Sequence, residues 1–344
     1  MQNKVKIGSK ITGSGCSCYI ISELGAMYED LDGMKEMIRL SAEAGADAVK
    51  VQTYKAETMA HRDSVFEFSD GTKMSQYDFF KKYEISEDCH VEMAGYAKEL
   101  GITFFSTPSD ASDVDFLDSL GVPAFKTGSD DLTNYPFLEY IAEKGKPMIV
   151  STGMSDLEEV EQAVNTVLST GNEQLILLHC TVSYPSPAEH ANLRVITALQ
   201  RRFGVVAGYS NHVQGVFPNV LAAATGADVV EVHFTLDRSL KRPDYQVALD
   251  PAELKQMVDE IRLIPVLRGV EEKTVTSIEE KWRRNARKSL IASRNLNKGD
   301  VLRREDIKIM RPGTGVAPKY MEQFVNKTLK NNVRKDELLS FELI

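Results

Sequence analysis

The stretch GADVVEVHF, residues 226–234, is a short apolar run that opens on Gly-Ala-Asp and ends in polar chemistry, Glu231 and His233. The same design stands far upstream in GADAVKVQT (45–53), which ends in Lys50 and Gln52 instead. Near-continuous apolar runs of this length read as strands buried on both faces, the pattern of a parallel sheet. Outward from this pair, the chain repeats the design in CYIISELG (18–25), TFFSTPS (103–109), AFKTGSDD (124–131), PMIVSTGM (147–154), LILLHCTVSYPS (175–186) and VVAGYSNH (205–212). Amphipathic segments separate the runs. In LDGMKEMIRLSAEAG, Met34, Met37, Ile38 and Ala42 fall at helical spacing and Gly45 reads as the stop. Strands alternating with helices, about eight units over roughly 260 residues, predict a (β/α)8 TIM barrel. A doubly wound open sheet is the alternative, but no GxGxxG opens a helix here. On this reading the two GAD runs are two staves of one barrel. A long polar stretch, 55–87, interrupts after the second stave.

The length of 344 residues suits one barrel-sized domain plus a small one. The division expected is a catalytic barrel over 1–265, a charged linker helix over 266–286, and a small β-rich domain over 287–344, where short strands, Lys-Gly-Asp turns and a Pro-Gly loop recur. No apolar run approaches the roughly 20 residues of a membrane helix, and MQNKVKIGSK has no apolar signal core. Cys16, Cys18, Cys89 and Cys180 form no paired motif and read as reduced thiols, so a cytoplasmic protein is expected. The net charge of −9 is uneven: residues 286–344 sum to +6 and the rest to −15. A basic tail can mean nucleic acid, but no stacking-aromatic pattern accompanies it. A basic cap that helps hold an anionic substrate fits better.

Active sites of such barrels lie at the C-terminal ends of the strands. Those ends carry Glu23; Lys50 and Gln52; Ser106 and Thr107; Lys126 and Ser129; Ser151 and Thr152; Thr181 and Tyr184; Ser210, Asn211 and His212; and His233. Singly, each has a plain reading: a serine caps a helix, and a strand-end histidine is a structural hydrogen bonder. Jointly they make a site. Two lysines facing one mouth repel unless an anion lies between them, and hydroxyls beside them would complete a phosphate or carboxylate site. His212 and His233, on adjacent strands with Glu23 across the mouth, suit a divalent metal with open positions. An anion site beside an open metal fits condensation of an anionic carbon nucleophile with an aldehyde. A Schiff-base or metal aldolase, with Lys126 or Lys50 as the amine, is the alternative on the same residues.

In order, IISELG, AGADAVKVQTYKAE, SQYDFFKKYEIS, FFSTPSD, AFKTGSDDLTNYPFLEYIAEKGKPMIVSTGM, LLHCTVSYPSP, GYSNH, GADVVEVHFTLDR, RPDYQVALDPAEL and MRPGTG resemble the sialic acid synthase family, the N-acylneuraminate or nonulosonate synthases, over nearly the whole chain. The resemblance implies a TIM barrel followed by an antifreeze-like (SAF) domain. It implies condensation of phosphoenolpyruvate with an N-acylhexosamine, giving a nine-carbon 3-deoxy-2-keto sugar acid and phosphate by C–O cleavage. The cofactor implied is a divalent metal, Mn²⁺ first, with Mg²⁺ or Co²⁺ as alternatives. Carried over by position, His212 and His233 would bind the metal. Lys50, Thr107, Lys126, Ser129, Ser151 and Ser210 would hold phosphoenolpyruvate. Glu23 would exchange a proton at the sugar carbonyl, and Gln52, Asp131, Tyr184 and Asp244 would contact the sugar. Arg311 corresponds to an arginine that the SAF domain inserts into the partner's site, which implies a domain-swapped homodimer and no nucleic-acid or membrane partner. A sugar-binding homologue without catalysis is the remaining alternative, opposed by the retention of both His, both Lys and Glu23.

The departures from the family pattern cluster at the sugar end. Met27 and Tyr28 replace the usual Asn-His, no Asn occurs between Glu57 and His90, Val182 replaces an Asn, and Asn211 turns SDH into SNH. N-acetylmannosamine and a diacetamido-trideoxyhexose both stay open as substrates. Asp63, Asp70 or Tyr28 are the residues that could supply the missing bonds.

Overall fold

The computed structural model describes residues 4–25, 30–67, 72–241 and 243–344. Its parallel strands close into an eight-stranded barrel: β1 Tyr19–Glu23, β2 Ala48–Thr53, β3 Thr103–Pro108, β4 Phe125–Thr127, β5 Met148–Ser151, β6 Leu175–His179, β7 Val206–Asn211 and β8 Val229–His233. Closure is made by β8 on β1, in register from Val229 opposite Tyr19 to His233 opposite Glu23. The helices that follow are α1 Leu31–Ala44, α2 Glu87–Glu99, α3 Ala111–Leu120, α4 Tyr135–Ala142, α5 Leu157–Ser169, α6 Arg194–Phe203, α7 Phe217–Thr225 and α8 Pro251–Arg268.

The GAD repeat has a physical cause in this frame. Gly45 and Gly226 cap α1 and α7 at φ 90° and 112°, a left-handed conformation that costs a side chain dearly. Ala46 and Ala227 are small and buried behind them. The aspartates then hold the N-terminal ends of the strands. Asp47 accepts from the Ile20 amide and pairs with Lys10 and Arg262, and Asp228 accepts from Gln200. The repeat is thus the helix-to-strand joint of two barrel units.

An N-terminal hairpin, Lys4–Ile7 with Lys10–Gly13, adds Val5 and Ile7 to the core. Thr12 donates to the Asp228 carbonyl and Lys10 reaches Asp47, so the hairpin lies at the N-terminal end of the strands, away from the mouth. The barrel core is closed by large buried side chains, among them Tyr19, Phe105, Phe125, Tyr209 and Phe234. Each contributes about 1.5–3 kcal/mol by leaving water.

The polar stretch after β2 is structured. A short helix Ala56–Met59, a hairpin of Val65–Glu67 with Lys73–Ser75, and a helix Gln76–Tyr83 form a small excursion. Phe66, Phe79 and Phe80 pack edge to face within it, and Phe80 meets Tyr54 at the end of β2, 5.2 Å between centroids. Burial of an aromatic cluster inside a polar segment is what the hydropathy pattern hid.

The chain divides into two compact units, 1–269 and 270–344. The stretch 266–286, expected as one linker helix, is not continuous: α8 runs to Arg268, Gly269 follows at φ 55°, and helix resumes only at Ser277–Ala286 behind a Thr276–Glu279 capping box. The second unit pairs Ser289–Ala292 with Ile307–Met310 and adds single bridges such as Leu296 to Val333. Its own core is built on Leu290, Leu302, Phe324 and Leu339. Among the described residues no helix is long and apolar enough to cross a membrane.

Candidate active site

At the C-terminal ends of the strands lies a cavity of about 270 Å³. Strand registry builds its floor. Side chains alternate along a strand, so Glu231 and His233 on β8 face the same way, and Glu23 on β1 is paired with both His233 and Lys50 in the ladder. Lys50 lies 2.7 Å from Glu23 and donates to Thr107 Oγ1 at 2.9 Å, and Gln52 Nε2 donates to Glu23 Oε1 at 3.0 Å. Lys126 donates to Ser151 Oγ at 2.7 Å and stands 3.6 Å from Glu231, whose Oε1 accepts from Ser210 at 3.1 Å.

This corrects one expectation. The two lysines do not depend on a ligand anion for neutrality, because each is answered by a buried carboxylate. Burial disfavours the Lys50 charge, but Glu23 and Glu231 outweigh it and the pKa is raised. For Lys126, burial dominates, Lys50 adds repulsion, and the pKa is lowered despite Glu231. Burial also works against the Glu231 anion, yet Lys126, Lys50 and His233 hold it below the ordinary carboxylate range. The floor is therefore two crossed ion pairs with a net charge near zero.

The two imidazoles stand beside it, ring centroids 5.4 Å apart. His212 Nδ1 lies 2.8 Å from the Thr181 carbonyl, which can only accept, so Nδ1 carries the proton and Nε2 keeps its lone pair. Burial and the neighbouring His233 push the His212 pKa down to about 4, which keeps the ring neutral. Nδ1 of His233 is buried with no hydrogen-bond partner. A fixed tautomer, a neutral ring and an orphaned nitrogen are what a metal-binding pair requires. Glu23 is ion-paired with Lys50 and accepts from Gln52, and no group of three His, Cys, Asp or Glu arranged to hold a metal occurs among the described residues.

Residues 37–273 match the NeuB family model, and residues 287–344 match the SAF domain. The chain belongs to the NeuB family. It is 38% identical to the N,N'-diacetyllegionaminic acid synthase of Legionella pneumophila, over 98% of this chain and 97% of the relative. It is 34% identical to the human N-acetylneuraminate-9-phosphate synthase, over 95% and 92%. Among solved structures it is similar to the N-acetylneuraminic acid (sialic acid) synthetase of Leptospira borgpetersenii, with a TM-score of 0.73 and 30% identity over 81% of this chain and 94% of that one. This NeuB-family chain is an enzyme of the synthase class, built as a TIM barrel with a SAF domain.

The cavity of the NeuB-family barrel gathers most of the residues expected from sequence. Ser129, which follows β4, receives the Gly153 amide at 3.0 Å and touches Cys180 Sγ at 3.1 Å. Asp131 lines the same cavity, and burial together with Asp130 raises its pKa to about 6. Tyr184 stacks 4.2 Å from His212 at the mouth. Asp244, at φ 59°, sits 3.7 Å from His233 Nδ1 outside the cavity lining. Arg311 belongs to the second unit, where it is exposed. Met27, Tyr28 and Asp70 lie outside the described residues. Asp63 is exposed beside His61 and does not line the cavity. Glu231 was not expected at the site; its place two residues before His233 on the same strand is the signal that reveals it. The cavity lining also includes Met59, Met154 and Val182.

Proposed function

We propose that this protein condenses phosphoenolpyruvate with an N-acylated amino-sugar aldehyde to give a nine-carbon 3-deoxy-2-keto acid and phosphate. The observation that carries the reading is the pair of lysine–carboxylate bridges beside His212 and His233 on one barrel floor. Phosphoenolpyruvate brings a carboxylate and a phosphate of about −1.5 to −2. A floor of near-zero charge cannot neutralise that alone, which argues for a divalent cation on His212 and His233. When bound, such a cation, Mn²⁺ first, supplies Lewis acidity toward the sugar carbonyl. Lys50, Thr107, Lys126, Ser129, Ser151 and Ser210 orient the phosphate and carboxylate. C3 of phosphoenolpyruvate bonds to the carbonyl carbon as water adds at C2, and the Glu23 carboxylate passes the proton released by that water to the former carbonyl oxygen. The C2–O bond to phosphate then breaks, the C2 hydroxyl proton leaving with the phosphate and the 2-keto group remaining.

Gln52, Asp131, Tyr184 and Asp244 face the sugar in this scheme. The apolar rim of Met59, Met154 and Val182 favours a sugar with methyl and acetamido groups in place of hydroxyls, so a diacetamido-trideoxyhexose is the substrate proposed. Arg311 is proposed to act in the partner's site within a homodimer. The lowered pKa of Lys126 favours one second reading, an imine-forming aldolase.

The test is phosphate release from phosphoenolpyruvate with a panel of N-acylhexosamines, with and without Mn²⁺. Release that needs both the diacetamido sugar and the metal is expected, and His233→Ala should remove Mn²⁺ binding measured calorimetrically. No release with any sugar sinks the synthase reading, and a borohydride-trapped adduct on Lys126 selects the aldolase.

A further inference from the structure

On the outer face of β2 and β3 lies a polar chain that the reaction scheme leaves unused. His90, on the second turn of α2, is fully buried. Its Nδ1 is 2.8 Å from the Ser86 carbonyl, and its Nε2 is 2.8 Å from Thr53 Oγ1. Thr53 Oγ1 is in turn 2.6 Å from Ser106 Oγ, and Ser106 Oγ is 3.0 Å from the Val51 carbonyl. Thr53 follows Gln52 and Ser106 precedes Thr107, and Gln52 and Thr107 are direct partners across the β2–β3 ladder. The chain therefore pins the two strands beside the place where they present site residues to the cavity.

The number of protons fixes the direction of every bond. The Ser86 carbonyl only accepts, so Nδ1 always donates. With a neutral ring, Nε2 accepts from Thr53, and Thr53 must accept from Ser106. With a cationic ring, Nε2 donates to Thr53, Thr53 donates to Ser106, and Ser106 turns to the Val51 carbonyl. Both arrangements leave every donor used, and they differ in whether Ser106 gives its proton to Thr53 or to the Val51 carbonyl of β2. We infer that His90 is a positioning residue for Gln52 and Thr107, acting through a hydrogen-bond chain whose direction is set by the charge of its ring.

The ring's surroundings keep it in the neutral arrangement. Burial lowers its pKa, opposed by the Ser86 and Gln52 carbonyls and by Glu87, the charged neighbour on its own helix. From α3 the ring meets Phe116 edge-on at 5.7 Å, and from β2 it meets Thr53 Oγ1 and the Gln52 carbonyl. Reversal therefore belongs below the ordinary imidazole range.

The consequence for turnover rests on the proposed condensation; the proton chain itself does not. The experiment is an NMR titration of the full chain, following the His90 ring nitrogens together with the Thr107 amide and the Gln52 side-chain amide. His90 should titrate below pH ~6.5, with Gln52 and Thr107 shifting at the same midpoint. His90→Gln, which keeps one donor and one acceptor without a charge, should abolish those shifts. Thr53→Val should leave the His90 titration but uncouple Gln52 and Thr107, and Thr53→Ser should restore the coupling. Gln52 and Thr107 signals that ignore the His90 midpoint overturn the inference, as does a ring that stays neutral until the protein unfolds in acid. In the phosphate-release assay, wild-type KM values should rise about threefold through the same midpoint while those of His90→Gln stay level. If no sugar supports release, the proposed reaction fails and the titration still decides the role of His90.

Discussion

At the residue scale the site is decided by Glu231. It looks out of place, a carboxylate where an anionic substrate is to bind. The structure gives its reason: Lys126 is buried and repelled by Lys50, and would lose its proton without a nearby anion. Glu231→Gln keeps the shape and the Ser210 contact but leaves Lys126 unpaired in a buried site. The expected cost is about 3–5 kcal/mol of unfolding free energy, the range for breaking a buried pair. The pH dependence has a definite sign. Lys126 and Lys50 hold the folded carboxylate below its unfolded pKa of about 4.3. The stabilisation is therefore complete above that value and is lost as pH falls below it. Denaturant melts of wild type and Glu231→Gln should differ most near neutrality and converge only as pH falls toward the folded pKa of about 2. A difference that stays constant down to that pH would show that the ionised carboxylate is not the stabilising group.

At the scale of elements, the barrel staves were legible because both faces of each are buried, so sequence and environment are uniformly apolar. The ends of the staves were legible for the complementary reason: polar groups that terminate apolar runs have one open mouth to face. Glu231 was visible among the polar groups that close the GAD run but was not carried into the site, because it does not end its strand; strand parity with His233 marks it. The N-terminal hairpin escaped because its four-residue strands alternate with lysines. The excursion after β2 escaped because its aromatics pack on one another inside a polar stretch. The β7 stave offers a test of how tightly elements are fitted. A Cβ on Gly208 would lie 2.1 Å from the Val229 carbonyl oxygen, and backbone of the closing strand cannot yield. Gly208→Ala should lose at least about 3 kcal/mol, as overpacking against main chain does at its severe end. Because β7 carries Ser210 and leads into His212, Mn²⁺ affinity should fall with it. A thermal melt within a degree or two of wild type would mean that the strands slide past one another freely.

At the scale of the whole molecule, the two units have separate cores, and each is held by its own hydrogen bonds. In the second unit, the loop after Arg311 is fastened to the helix Ser277–Ala286 and the residue that follows it. Gly313 N donates to the Arg284 carbonyl, and a Cβ at Gly313 would fall 2.5 Å from Arg287 Cβ. The loop is thus held within its own unit, with the exposed Arg311 at its head. Under the proposed reaction, phosphoenolpyruvate would leave the charge-balanced barrel floor negative, and the proposed arginine from a second chain would offset it. Co-purified Arg311→Ala and Lys126→Ala chains decide the matter. Each homodimer lacks one part of every site. If the arginine acts in the partner's site, each mixed dimer holds one intact site, and random pairing restores about a quarter of wild-type phosphate release. If Arg311 served its own barrel, mixing would restore nothing, and if it served no barrel, Arg311→Ala chains alone would release phosphate.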